Sequence, residues 1–122
     1  MTVSRADDVG FPKNYLRPCL LLLLADGTSH GYDLMAQVAS LGLYNADPGG
    51  VYRCLRAMDE DGLVRSAWEP STAGPARRSY SVTPDGLAWL HAVDESVAEV
   101  ARGLAAYRRR YNKLAARHTP VQ

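Results

Sequence analysis

The chain has 122 residues, 47% of them apolar and 22% charged, which suits a single domain with one modest core. Its formal net charge is +1, so bulk charge does not announce a polyanion binder; only one locally basic face would do that. The longest apolar run, Cys19–Ala25, is too short to span a bilayer, and the mixed, polar opening MTVSRADDVGFPKN shows no signal peptide. The expectation is a cytoplasmic chain with no membrane role.

Residues 1–13 read as a flexible N-terminal arm. A first helix begins between Asn14 and Arg17, tolerates Pro18 in its first turn, and breaks at Asp26-Gly27. A second helix starts near Ser29 or His30 and continues to Leu41, with Gly42 as its cap and Leu34, Val38 and Leu41 as its buried stripe. Asp47 followed by Pro48 is a start signal for a third helix, which ends at Gly62. Val51, Leu55 and Met58 form the inner face of that helix, and Cys54 shares their stripe. Asp59, Glu60 and Asp61 crowd its end against the helix dipole and are expected in solvent.

Two short strand-like runs follow, Leu63–Glu69 and Arg77–Thr83, around a Gly74-Pro75 turn. Alternation assigns Trp68, Tyr80 and Val82 to the packed face of this hairpin. Thr83-Pro84 repeats the cap-then-proline signal and opens a long last helix. Apolar residues recur there at Leu90, Val93, Val97, Val100, Leu104, Tyr107, Tyr111 and Leu114, in alternating steps of three and four. From Pro84 to Leu114 that helix would be about 46 Å long. A core this small leaves the far half of the stripe uncovered, so a second copy of the chain is the expected partner. Residues 117–122 read as a frayed tail.

Two helices joined by a short Gly-containing turn, then a basic-tipped hairpin, form a winged helix-turn-helix. The fold class is mainly α with a small β-hairpin wing and a long C-terminal dimerisation helix. The domains fall at 14–83 for the winged unit and 84–116 for the dimerisation helix. On the outer face of the third helix Gly49, Tyr52, Arg53 and Arg56 share one side, and their chemistry suits DNA. Arginine donates two hydrogen bonds to guanine, and tyrosine reaches a phosphate or a thymine methyl. At the wing, Arg77 and Arg78 point to opposite faces, so at most one of them meets DNA directly. Arg108-Arg109-Arg110 reads as a solvated charge run. Trp89 reads as core rather than as part of a ligand pocket.

No catalytic spacing is present: His30, His91 and His118 lie far apart, and the two cysteines match no metal or redox motif. An enzyme is not expected, nor a metal or other cofactor. Residues 47–83 hold five basic and five acidic side chains, and this neutrality leaves room for a protein-interaction module without specific DNA binding.

With these elements placed, the chain resembles the PadR family of bacterial transcriptional regulators from about Tyr15 to Leu114. The resemblance rests on His30-Gly31-Tyr32-Asp33-Leu34, on Pro48–Arg56, on Gly62-Leu63-Val64, on Arg77–Tyr80 and on Thr83-Pro84-Asp85-Gly86. It implies a homodimeric repressor on a palindromic double-stranded operator, released by a ligand, stress signal or protein partner. The phrasing around Asp47–Arg53 and Gly74–Arg78 is more narrowly similar to regulators that respond to polyhydroxybutyrate. Gly50 departs from that subgroup, which tends to place a hydroxyl residue there.

Overall fold

The computed structural model describes residues 14–27, 30–70 and 74–118. The expected arm at 1–13 and the end of the tail, 119–122, lie outside the described residues. In chain order the elements are α1 (Leu16–Ala25), α2 (Gly31–Gln37), a 3-10 turn (Val38–Leu41), α3 (Pro48–Glu60), β1 (Val64–Glu69), β2 (Arg77–Val82) and α4 (Pro84–His118). The chain divides into two compact units, one running to Leu90 and the other from His91 onward.

The core of the first unit is built by leucine-rich α1 lying against the apolar faces of α2, α3 and β1. Leu20, Leu21, Leu34, Val38, Val51, Leu55, Met58 and Val64 are fully buried in one cluster. Each such side chain contributes about 1.5–3 kcal/mol by leaving water. Cys54 and Trp89 are half-buried and pack against the same cluster, so both belong to the core margin.

The helix expected to run unbroken to Leu41 instead tightens after Gln37. The last turn is 3-10, Gly42 takes a left-handed φ of +100°, and Leu43 N–H returns to the Val38 carbonyl. This satisfies carbonyls that an α-helix end leaves open. α3 begins as its sequence predicts, with the Asp47 carboxylate accepting the Gly50 N–H at 3.0 Å and Pro48 in the first turn. It closes on Gly62, whose φ of +78° lets the Leu63 N–H reach the Met58 carbonyl at 2.9 Å.

The acidic end of α3 is not free in solvent. Asp61 pairs with Arg17 of α1 at 2.8 Å, and Asp59 accepts from the Ser66 hydroxyl of β1 at 2.8 Å. Unfavourable placement at a helix C-terminus is offset here by partners 44 and 7 residues away in the chain. Arg17 also lies 6.0 Å from the Trp89 ring, so one α1 cation joins the end of α3 to the start of α4.

β1 and β2 pair antiparallel from Val64 opposite Val82 to Glu69 opposite Arg77. His30 adds an isolated backbone bridge to Ser79, and its Nε2 lies 2.8 Å from the Glu69 carboxylate. That contact holds the Glu69 carboxyl below the usual range for a carboxylic acid. The start of α2 is thereby fastened to the hairpin.

Thr83 anchors the entry to α4. Its hydroxyl donates to the Gly62 carbonyl at 2.6 Å and accepts the Gly86 N–H at 3.0 Å. Thr83→Ala should therefore cost about 1 kcal/mol of stability, and Thr83→Ser much less, read as shifts in the urea midpoint. Equal midpoints for the alanine variant and the native chain would remove the cap from the account.

α4 is 35 residues long, about 52 Å. Its residues up to Leu90 belong to the first unit, where Trp89 and Leu90 pack on the core. Within the second unit Val97, Val100, Leu104, Tyr107, Tyr111 and Leu114 are all exposed.

Candidate nucleic-acid interface

α3 presents opposite chemistry on its two sides. Val51, Leu55 and Met58 are fully buried, while Tyr52, Arg53 and Arg56 face outward. Gly49 and Gly50 lie at the start of that outer face. A Cβ at either would meet nothing closer than side-chain ends of Asp47 and Arg53, so no backbone demands glycine at these two positions. The surface above them is simply low.

Tyr52 is held by a different glycine. A Cβ at Gly31 would run into the Tyr52 ring, so the close seating of the α2 start on α3 depends on that missing atom. Tyr52 remains 46% exposed, with one side committed to Gly31 and the other open.

The cations differ in what already holds them. Arg53 lies 3.5 Å from Asp47, the residue that caps its own helix. Arg56 is exposed and has no hydrogen bond or ion pair among the described residues. Arg78 on β2 donates to the Ser66 hydroxyl at 3.0 Å, and Ser66 in turn donates to Asp59 of α3. The Arg78 guanidinium also lies 5.2 Å from the Trp68 ring.

Tyr80 marks where these groups converge. Burial pushes its hydroxyl pKa up; Asp59 and Tyr52 push it the same way, while Arg78 and Arg56 oppose them. Tyr52, Arg56 and Arg78 are thus neighbours around one ring, although they come from two elements. Arg77 stands opposite Glu69 at the other end of the register, on the reverse face of the hairpin and exposed. Its field adds to the lowering of Glu69.

One expectation for the hairpin is corrected. Trp68 does share the face of Val64 and Ser66, but it is 64% exposed and is not part of a packed surface. The core ends beneath Val64, and the hairpin projects past it. Burial falls outward along the strand from Val64 to half-buried Ser66 to Trp68.

The stripe on α4 is placed on a different unit from the basic face. Leu90 is half-buried with the first unit and Val93 is half-buried on the second, while the rest is open to solvent in the single chain. Sequence reasoning missed Tyr80, Ser66, and the link from His30 to Glu69. The serine in the middle of the inner strand face was the one local sign of a polar relay.

Among the described residues no group of three or more His, Cys, Asp or Glu could hold a metal ion, and no helix is long and apolar enough to cross a membrane. Cys19 is buried and Cys54 half-buried; burial raises both thiol pKa values, although the Arg17 charge and hydrogen bond oppose the rise at Cys54.

Comparison with known proteins turns this geometry into an identification. No curated protein gives a significant match. A solved protein of unknown function, described as a potential transcriptional factor, is 28% identical with a TM-score of 0.71; the match covers 94% of this chain and 99% of that one. A PadR-like transcriptional regulator from Bacillus cereus is 25% identical with a TM-score of 0.68, over 78% of this chain and 92% of that one. A PadR-like transcription factor from Bacteroides fragilis is 26% identical with a TM-score of 0.62, over 75% and 88%. The transcriptional regulator PadR-like family matches residues 20–92, from the buried leucines of α1 through the basic face to the start of α4. With its hairpin and long last helix in the same order, the chain belongs to the PadR-like family of transcriptional regulators and is not an enzyme.

Proposed function

We propose that this regulator is a homodimeric repressor that reads a palindromic operator in double-stranded DNA and is released by a ligand or protein partner. The observation that carries the reading is the grouping of Tyr52 and Arg56 from α3 with Arg78 from the hairpin around Tyr80. A helix and a wing that present cations together can enter a major groove and grip the adjoining backbone at once. Low ground at Gly49 and Gly50 admits a phosphate close to the α3 N-terminus, where backbone N–H groups favour anions. This grouping favours DNA over a protein partner, even though the chain as a whole is nearly neutral.

In this reading Arg56 is the first candidate for reading a base edge, because Arg53 is already engaged by Asp47. Arg78 is the wing cation on the reading side, with Arg77 behind it. Residues 14–83 then read DNA, and 84–116 pair two chains through the stripe from Leu90 to Leu114, with the work done in the cytoplasm. An effector releases the operator only if it binds the DNA-free form more tightly than the DNA-competent form.

Titration of a footprinted upstream operator by fluorescence anisotropy tests the assignment. Arg56→Ala should cost about 1–3 kcal/mol and relax preference at one position of each half-site. Arg78→Ala should weaken all sequences alike and reduce the salt slope by about 1. If a chain with Arg53, Arg56, Arg77 and Arg78 all changed to Ala binds that operator as tightly as the native chain, the interface lies elsewhere.

A further inference from the structure

The charges of α4 are sorted along its length. Residues 84–99 carry Asp85, Asp94, Glu95 and Glu99 and no Lys or Arg; residues 100–118 carry five Arg and one Lys and no carboxylate. The helix macrodipole rewards such sorting only in the first and last turns, and most of these residues lie well inside. The apolar stripe is sorted too, with Val93, Val97 and Val100 in the first half and Tyr107 and Tyr111 in the second. Gly103 stands between the halves, with open space where a Cβ would be, and nothing in the single chain calls for glycine there.

We propose that two copies of α4 pair antiparallel about a two-fold axis at residue 102. This rests on the dimer reading above and adds its direction and register. About that axis Val100 falls level with the partner's Leu104, Val97 with the partner's Tyr107, and Val93 with the partner's Tyr111. Each branched side chain meets a larger one, and the shallow recess lined by Tyr107, Arg110, Tyr111 and Leu114 receives the partner's valines. Asp94 comes level with the partner's Arg110, so the acidic half of each helix lies along the basic half of the other. Gly103 sits beside the axis, where two backbones approach most closely. A parallel pairing would instead set tyrosine on tyrosine and bring Arg108 and Arg110 beside their own copies, which is repulsive.

The register has a functional consequence. The two Leu90 residues, where the first units attach, are 24 residues apart along the paired helices, or about 36 Å at 1.5 Å per residue. Half-sites one DNA turn apart are separated by about 34–36 Å. The antiparallel register therefore sets the attachment points one turn of DNA apart.

Cysteine cross-linking separates this proposal from the dimer reading beneath it. Val93→Cys and Tyr111→Cys are made singly in the full chain, and the native chain, whose own Cys19 is buried and Cys54 half-buried, serves as the blank. Under mild oxidation neither variant alone should form a covalent dimer, while subunit exchange between the two should give one. Light scattering that shows a monomeric native chain overturns both readings. A dimer in which Val93→Cys links to itself, or in which the mixture links no more than the blank, overturns the antiparallel register and leaves dimerisation standing. As a second readout, Asp94→Arg and the pair Arg108→Asp with Arg110→Asp should each weaken self-association at least tenfold, and mixing them should restore it. Failure of the mixture to recover counts against the register.

Discussion

Replacing Val97 and Leu104 together by Asp should convert the native dimer into a monomer and remove tight operator binding. In the single chain the two side chains are 37% and 54% exposed, so carboxylates there touch nothing that holds the fold together. Substitutions at such positions usually move stability by no more than about 0.5 kcal/mol. In a dimer the same carboxylates leave water without a partner, which costs several kcal/mol per ion. The fold should therefore survive while assembly fails. Losing one of two linked reading units typically forfeits a factor of about 10²–10⁴ in affinity for a two-half-site operator. Light scattering, circular dichroism and anisotropy on the same sample make the test complete. A double variant that keeps both its dimer mass and its operator affinity would place the interface off this stripe.

The second large effect is expected at Gly86, the buried residue in the first turn of α4. Glycine inside a helix normally costs about 1 kcal/mol relative to alanine, so propensity alone predicts that Gly86→Ala stabilises. The packing predicts the opposite. A Cβ at position 86 would collide with the Leu63 carbonyl and press on the Val82 side chain. That carbonyl is backbone and already accepts the Thr83 N–H at 3.1 Å, so it cannot swing away as a flexible side chain would. Overpacking of this kind costs about 1–3 kcal/mol before the propensity gain is subtracted. The net sign decides between the two effects: Gly86→Ala should unfold at lower urea than the native chain. A higher midpoint would mean that α4 and the loop before it are not seated as described.

The helix boundaries were legible because caps and breakers act within a few residues. Asp47-Pro48, Gly42, Gly62 and Thr83-Pro84 all sit where their local chemistry predicts. The outer face of α3 was legible for the same reason, since helical period fixes which residues share a side. Depth was not legible. Alternation put Trp68 on the inner face of the hairpin correctly, but only three-dimensional packing shows that the core has ended before it. Partners distant in sequence were equally hidden. Nothing local to Asp61 points to Arg17, and nothing local to His30 points to Ser79 or Glu69. Gly31 and Gly86 looked like motif residues, and their reasons are a tyrosine ring and a carbonyl brought from elsewhere in the chain.

Both tryptophans lie close to an arginine, and in very different surroundings. Trp89 is half-buried near Arg17, while exposed Trp68 lies near Arg78 on the wing. The chain therefore carries two intrinsic optical probes with separable signals. Emission from Trp68 belongs to a wet indole at the long-wavelength edge of the band, open to a dissolved quencher, and anionic quenchers are drawn to it by the neighbouring guanidinium. Trp89 emits from a more apolar, shielded site that reports on the joint between α1 and α4. Light from one wavelength region follows the wing, and light from the other follows the frame that carries it.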